Sequence, residues 1–285
     1  MSGANLFLDI LGAAERRASA DIFVVGTGMA CPEQLTQEAA AALRRCRVVY
    51  TLLGDGLDTL DGWTGRVESV SHLYRPGRWR PDIYQEVVET VLDATDRERP
   101  VGYLAGGNPA IFDYICSQIR DQGRARGLHV RTIAGVSSLD TVLLDLEHDI
   151  GHSGLQIYEA SWFVRHRIEP RVDVPLLLMQ PSAFGTNFAT LGHAPTPRAL
   201  EPLRHYLERF YPPAHPLVLV RSSGAWFEDP QIHRAPLADV CEVGLEILRG
   251  TSLYIPPLRP PADDETFGKL TADPSHFADA YRPAR

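Results

Sequence analysis

The sequence carries no excess of positive charge. It has 28 basic residues against 36 acidic ones, a net charge of −8 over 285 residues. Such a surface repels phosphate backbones, which sets nucleic acid aside as a main partner. Arg75, Arg78 and Arg80 come nearest to a basic patch, and the first two read as solvated loop residues. Long apolar runs are missing from the N-terminus as well. Residues 1–20 have no basic start followed by such a run, and LFLDIL within them is too short for a signal-peptide core or a membrane span. This stretch reads as a short amphipathic helix or arm, and a soluble, cytoplasmic protein without a membrane partner is expected. Cys31, Cys46, Cys116 and Cys241 form no C-x-x-C pair and have no histidine cluster beside them at zinc spacing. They read as reduced, mostly buried thiols, and no metal is expected. His148 and His152 are four apart but lack the H-E-x-x-H pattern. There is no G-x-S-x-G elbow, no P-loop lysine pattern and no internal repeat.

What is present is an alternation of strands and helices from Asp21 onward. Apolar residues make up 44% of the chain, enough for a sizeable core. IFVV, RVVYTLL, PVGYLAG and VRTIAG read as buried parallel strands. The helices between and after them are predicted at 33–45, 81–97, 111–126 and 137–146. This βαβ rhythm implies a parallel sheet with helices on its faces. A break falls at His148 to Gly154. Beyond it LQIYEA, PLLLMQ, PLVLVR and SLYIPP read as strands and 197–210 as a helix. The expected organisation is an arm at 1–20, an N-terminal α/β lobe at 21–152, a C-terminal α/β lobe at 153–257 and a tail at 258–285. The tail, proline-rich and acidic at first, is expected to have no core of its own.

Three glycine turns stand at predicted strand exits. Gly26-Thr27-Gly28 allows a tight turn with backbone close to a ligand, but lacks the third glycine of a dinucleotide fingerprint. Gly106-Gly107-Asn108-Pro109 and Ala134-Gly135-Val136-Ser137-Ser138 follow two other strands. The serines fit a helix cap or hydroxyls offered to a ligand carboxylate. All three turns should line one edge of one sheet, where open α/β sheets bind ligands.

Those turns carry a resemblance. VVGTGMACPEQLTQEAAAALRRCRVVY resembles the opening strand, turn and first helix of the tetrapyrrole methylase family, with Gly26, Gly28, Pro32, Leu35, Thr36, Val48 and Val49 at matching places. GNPAIF and AGVSSLD resemble its second and third turns, with Ala134 where proline is usual. The similarity runs from about Asp21 to Pro257. Within the class, Leu73-Tyr74 followed by Arg80-Pro81-Asp82-Ile83-Tyr84 resembles an element of the borosin peptide α-N-methyltransferases. LQIYEAS, LLLMQ and SLYIPP are similar to other stretches of theirs. The resemblance implies a two-lobed α/β fold, with a parallel-rich N-terminal sheet and a smaller mixed-sheet C-terminal lobe. It implies S-adenosylmethionine as cofactor, held by Gly107, Asn108, Ile111, Phe112, Ser137, Ser138, Gln180, Thr251 and Ser252. It also implies a homodimer and catalysis by Tyr84, Arg80 and Tyr74. Gly106 and Asn108 depart from the aromatic residue and histidine often found there. The end of the chain, FADAYRPAR, has no Val/Ile/Gly-rich target stretch, which suggests a separately encoded precursor peptide as substrate.

Tyrosine and arginine suit this chemistry. An amide nitrogen is a poor nucleophile because its lone pair is delocalised into the carbonyl. A tyrosinate can take its proton, and a neighbouring arginine favours the phenolate. Pro81 is predicted at the first helical position, Tyr84 in the first turn where the helix dipole also favours phenolate, and Arg80 one turn away. A plain half-buried Tyr84 is the bland alternative. A tetrapyrrole-like or other small-molecule substrate, and a non-catalytic cofactor-binding protein, remain as other readings. Several cationic residues in the cleft would favour the small molecule; an apolar site with tyrosines favours a peptide.

Overall fold

In the computed structural model the described residues are 19–52, 63–190, 193, 196–225, 227–243 and 250–282. The predicted arm lies almost wholly outside them. Two five-stranded sheets organise the chain into two lobes. The first holds β1 (Ile22–Gly26), β2 (Val48–Thr51), β3 (Arg66–Ser69), β4 (Val101–Ala105) and β5 (Val130–Ile133) in the order β3-β2-β4-β1-β5, all parallel. β1, β2 and β4 are buried along their whole length, as continuous apolar runs require when both faces of a sheet are covered. Helix α1 (Gln37–Leu43) covers one face. Helices α2 (Arg80–Ala94) and α3 (Tyr114–Ala125) cover the other.

Helix α4 (Ser138–Asp145) leaves β5 and packs Val142 against Leu177 and Val220 of the second sheet, joining the lobes. After the single turn α5 (Ile150–Ser153), that sheet is built from β6 (Gln156–Glu159), β7 (Leu176–Met179), β8 (Pro216–Arg221), β9 (Gln231–Pro236) and β10 (Ser252–Ile255), in the order β6-β7-β10-β8-β9. β6 and β7 are parallel and the remaining pairs antiparallel. Its far face is covered by α6 (Ala160–Arg165) and α7 (Pro197–Leu207) through Phe163, Leu200, Leu203 and Leu207. The tail forms α8 (Glu265–Thr271) and α9 (Pro274–Ala280), neither of which buries a residue.

The structure departs from the sequence reading at the helix starts. α1 begins at Gln37 rather than near residue 33, because Thr36 caps it by accepting the Ala39 amide at 3.0 Å. Just before it, Gln34 folds back to take the Met29 and Ala30 amides. α3 begins at Tyr114, capped by Asp113, so Ile111 and Phe112 lie in a loop. Pro81 is the second residue of α2, after Arg80. Strands β3 and β9 were missed. Both are edge strands with mostly exposed residues, so neither carries an apolar pattern.

Candidate active site

β4, β1 and β5 are neighbours in the sheet, so the three glycine turns leave it side by side. Gly28 and Gly107 exchange backbone hydrogen bonds, with Gly107 donating to Gly28 at 2.9 Å and Gly28 to Gly107 at 3.2 Å. Both have positive φ, +77° and +71°. Behind them the backbones touch. A Cβ on Gly135 would lie 2.3 Å from the Gly107 oxygen, and one on Gly26 2.7 Å from the Gly135 nitrogen. Asn108 ties the second turn to the third, its Nδ2 donating to the Gly135 carbonyl at 3.0 Å.

A cavity of about 440 Å³ opens at these turns. Thr27, Gly28, Met29, Cys31, Gly106, Gly107 and Ser138 form its N-terminal-lobe side, and Met179, Gln180, Ser182, Gly250, Thr251 and Ser252 the opposite side. Among the described residues its walls hold hydroxyls, backbone, two thioethers, the Cys31 thiol and the Gln180 carboxamide, but no charged side chain. Five of the expected cofactor residues meet here: Gly107, Ser138, Gln180, Thr251 and Ser252. Gln180 has φ 58°, a strained conformation of the kind that clusters at ligand sites. Ser137 does not join them. Its hydroxyl accepts the Asp140 amide and donates to the Asp140 carboxylate in a capping box, so the cap reading holds for this serine. Asn108 braces the turns, and Ile111 lines neither this cavity nor the next. Sequence reasoning missed Met29, Cys31, Met179, Ser182 and Gly250. Their one signal was adjacency: Met29 and Cys31 follow the Gly28 turn, Gly250 precedes Thr251, and Met179 and Ser182 flank Gln180.

Gly106 is shared with a second cavity of about 240 Å³, whose walls include Tyr74, Tyr84, Tyr103, Phe112 and Tyr114. Tyr84 is central, its ring centroid 6.4 Å from that of Tyr74 and 5.9 Å from that of Tyr114. Phe112, also at positive φ (52°), is 41% exposed at the rim. Among the described residues Asp113 is the one acidic wall residue, occupied in capping α3, and no lysine or arginine lines this cavity. Arg80 stands beside Tyr84 but is not free. Its guanidinium donates to the Thr186 carbonyl and its amide to the Asn187 carbonyl at 2.8 Å, so the C-terminal lobe holds it.

The titration of Tyr84 corrects the sequence reading. Burial and then the neighbouring Tyr74 push its pKa up to about 12; Arg80 pulls the other way and is outweighed. Tyr84 is also the fifth residue of α2, beyond the first turn where the dipole acts most strongly. The resting side chain is therefore a phenol. Among the described residues no cluster of three or more His, Cys, Asp or Glu could hold a metal, and no helix is long and apolar enough to cross a membrane.

Fold and cleft together define a two-lobed α/β protein with a cavity between its lobes, of a size and position suited to a small ligand. The family model described as Tetrapyrrole (Corrin/Porphyrin) Methylases matches residues 21–241, and the chain belongs to that family. Among curated relatives it is 22% identical over 167 residues to a methyltransferase/ribosomally synthesized type II borosin cyclic peptide precursor of Phlebiopsis gigantea. It is 26% identical over 141 residues to a type I counterpart of Gymnopilus junonius. These matches cover 58% and 48% of this chain but only 30% and 34% of the two relatives. The uroporphyrin-III-C-methyltransferase of Thermus thermophilus superposes with a TM-score of 0.57 at 20% identity, covering 86% of this chain and 99% of that one. The methyltransferase CobJ gives 0.56 at 16% identity, covering 86% and 98%. At such identities the likeness shows the fold alone.

Proposed function

We propose that this chain is an S-adenosylmethionine-dependent methyltransferase that methylates backbone amide nitrogens of a peptide. The observation that carries the reading is the cavity around Tyr84: tyrosine-lined, free of lysine and arginine among the described residues, and joined to the cofactor cavity at Gly106. A peptide backbone is neutral and fits such walls, whereas a substrate bearing many carboxylates calls for cations around the reacting atom. The borosin relatives support the same substrate class.

The cofactor cavity suits S-adenosylmethionine. Gly28 and Gly107 bring backbone to the ligand without a side chain in the way, and Thr251, Ser252 and Gln180 supply polar groups from the other lobe. Ser138, at the first turn of α4, suits an amino-acid carboxylate, since a helix N-terminus favours negative charge. When bound, the cofactor supplies an electrophilic methyl group on a sulfonium, and what the chain must add is placement, worth roughly 7–11 kcal/mol of barrier. Tyr84 then removes the amide proton. A phenolate of high pKa is scarce but strongly basic, which suits an acid as weak as an amide. Arg80 offsets part of the cost of charging it, and Tyr74, whose ring neighbours that of Tyr84, orients the amide in this reading. Assembly as a homodimer belongs to the same reading.

The test is mass spectrometry after incubation with methyl-deuterated cofactor, reading both the chain's own mass and that of added peptides. Labelled backbone nitrogens support the proposal. A second reading, a small polycarboxylate substrate, draws on Arg165 and Arg198 in a neighbouring cavity. Label found only on an added tetrapyrrole would favour it.

A further inference from the structure

A third cavity, of about 680 Å³, opens in the C-terminal lobe among the exits of β6 and β7 and helix α7. It is larger than the other two, and the reaction above does not use it. Ser182 lines both this cavity and the cofactor cavity. Thr186, also in its wall, takes the Arg80 guanidinium on its carbonyl. A substrate lying across the transfer site therefore reaches this cavity within a short length of chain.

Its charge runs against that of the protein. Arg165 and Arg198 line it, both are exposed, and among the described residues neither has an acidic partner. The acidic wall residue, Glu159, is occupied as the cap of α6, accepting the Trp162 amide at 2.6 Å. In a chain of net charge −8, two guanidinium groups with no salt-bridge partner among the described residues outnumber the one carboxylate of this wall, and mark a place for further carboxylates. Trp162 adds an aromatic wall. It is 46% exposed and stacks with Tyr158 at 6.0 Å and His166 at 4.3 Å. Aromatics beside arginine are the residue types that carry binding energy at interfaces.

We infer that this cavity binds acidic side chains of the peptide substrate, flanking the methylated residues, with Arg165 and Arg198 pairing their carboxylates and Trp162 packing on the apolar residue between them. The inference rests on the peptide reading of the active site. A polycarboxylate small molecule presents the same chemistry from another source.

The experiment uses the full chain and a rhodamine-labelled peptide alternating glutamate with valine, followed by fluorescence anisotropy. A glutamine-for-glutamate peptide is the control, and uroporphyrin the competitor. The glutamate peptide should bind at least about 10-fold more tightly than the control, and the Arg165→Gln/Arg198→Gln protein should lose that difference. Trp162→Ala should weaken both peptides alike. Affinity for S-adenosylhomocysteine, read by calorimetry on the same variants, reports an intact fold. Equal binding of the two peptides, or binding indifferent to the arginines in a folded variant, overturns the inference. Uroporphyrin binding through the same arginines and about 10-fold more tightly than the peptide assigns the cavity to a small molecule and also overturns it. Arginine-dependent peptide binding in a protein that never methylates an amide leaves the cavity assignment standing and removes the catalytic reading instead.

Discussion

Trp79 and Phe188 meet edge to face across the two lobes, with ring centroids 5.1 Å apart and an antiparallel backbone bridge between them. The backbones on either side are paired as well: Gly77 donates to Ala189 at 2.9 Å, Ala189 to Arg78 at 2.8 Å, and Arg80 to Asn187 at 2.8 Å. This strap, together with the Arg80–Thr186 contact, sets where α2 begins and therefore where Tyr84 stands. Both rings are about half exposed, so truncation of Phe188 to alanine should cost only about 1 kcal/mol of stability by urea unfolding. The methyl-transfer rate should fall by more than that loss implies, with cofactor affinity unchanged by calorimetry. An unchanged turnover number would mean that the strap does not position Arg80.

The glycine contact behind the cofactor cavity gives a sharper stability test. An alanine at Gly135 drives its Cβ into two backbones that cannot yield separately, so Gly135→Ala should destabilise by about 3 kcal/mol and abolish cofactor binding. Gly77→Ala is the comparison. Gly77 has φ +76° but nothing within 4 Å of the added carbon, so only the conformational cost of about 1 kcal/mol applies. Thermal unfolding of the two variants should separate by several degrees.

Cys31 provides a reporter of occupancy. It lines the cofactor cavity and is the exposed cysteine, while Cys46, Cys116 and Cys241 are buried. Burial, with a smaller contribution from Glu33, raises its thiol above the ordinary range, so alkylation by N-ethylmaleimide should be slow at neutral pH and speed up in mild alkali. S-adenosylhomocysteine at ten times its Kd should slow labelling of Cys31 about 10-fold, as judged by intact mass. Labelling that ignores the ligand would place the cofactor elsewhere.

The N-terminal fold and the three turns were legible in the sequence because continuous apolar strands and glycine at their exits are local signals. The edge strands were not, since Arg66 to Ser69 and Gln231 to Pro236 are mostly exposed and, apart from residues such as Val67 and Ala235, need no apolar pattern. Ser137 and Ser138 stood as equals in the sequence, and only the position of Asp140 decided that one caps and the other faces the cavity. The titration of Tyr84 was misread for a comparable reason. Arg80 is near in sequence and visible. The burial and the Tyr74 ring that outweigh it come from tertiary packing.

That packing predicts an alkaline limit to stability. Burial raises Tyr84, Tyr211 and Cys46 to about 12, from ordinary values of 10.0 for tyrosine and 9.0 for the thiol. A group with a raised folded-state pKa contributes stability that is complete below its unfolded pKa and is lost as pH climbs to the folded one. Urea midpoints should therefore hold steady up to about pH 9 and decline steadily between about pH 9 and 12. Tyr84 alone should account for on the order of 1–2 kcal/mol, allowing for its partial exposure. Tyr84→Phe should flatten that share of the decline; a midpoint level through pH 11 would argue against the burial.

Tyr84→Phe is also the decisive variant for catalysis. It keeps the ring among Tyr74 and Tyr114, so fold and cofactor affinity should survive. If the hydroxyl takes the amide proton, methylation should fall by roughly 10²–10⁴-fold, the usual worth of a positioned general base. The pH profile sharpens the test. With Tyr84 at about 12, the phenolate fraction rises about tenfold per pH unit from neutrality upward, so the wild-type rate should climb without a plateau until the fold fails. Tyr74→Phe removes a neighbour that raises the Tyr84 pKa, and should shift this limb to lower pH while costing less in rate than Tyr84→Phe. Arg80→Lys keeps a charge but loses the planar fork that reaches Thr186, and should slow transfer substantially. Single-turnover rates counted by mass spectrometry across pH 7–10 read all three. A Tyr84→Phe protein with the wild-type rate and the same alkaline limb would remove Tyr84 as the base. The amide reading would then stand on the tyrosine-lined cavity and the borosin relatives alone, and the polycarboxylate substrate would move ahead of it.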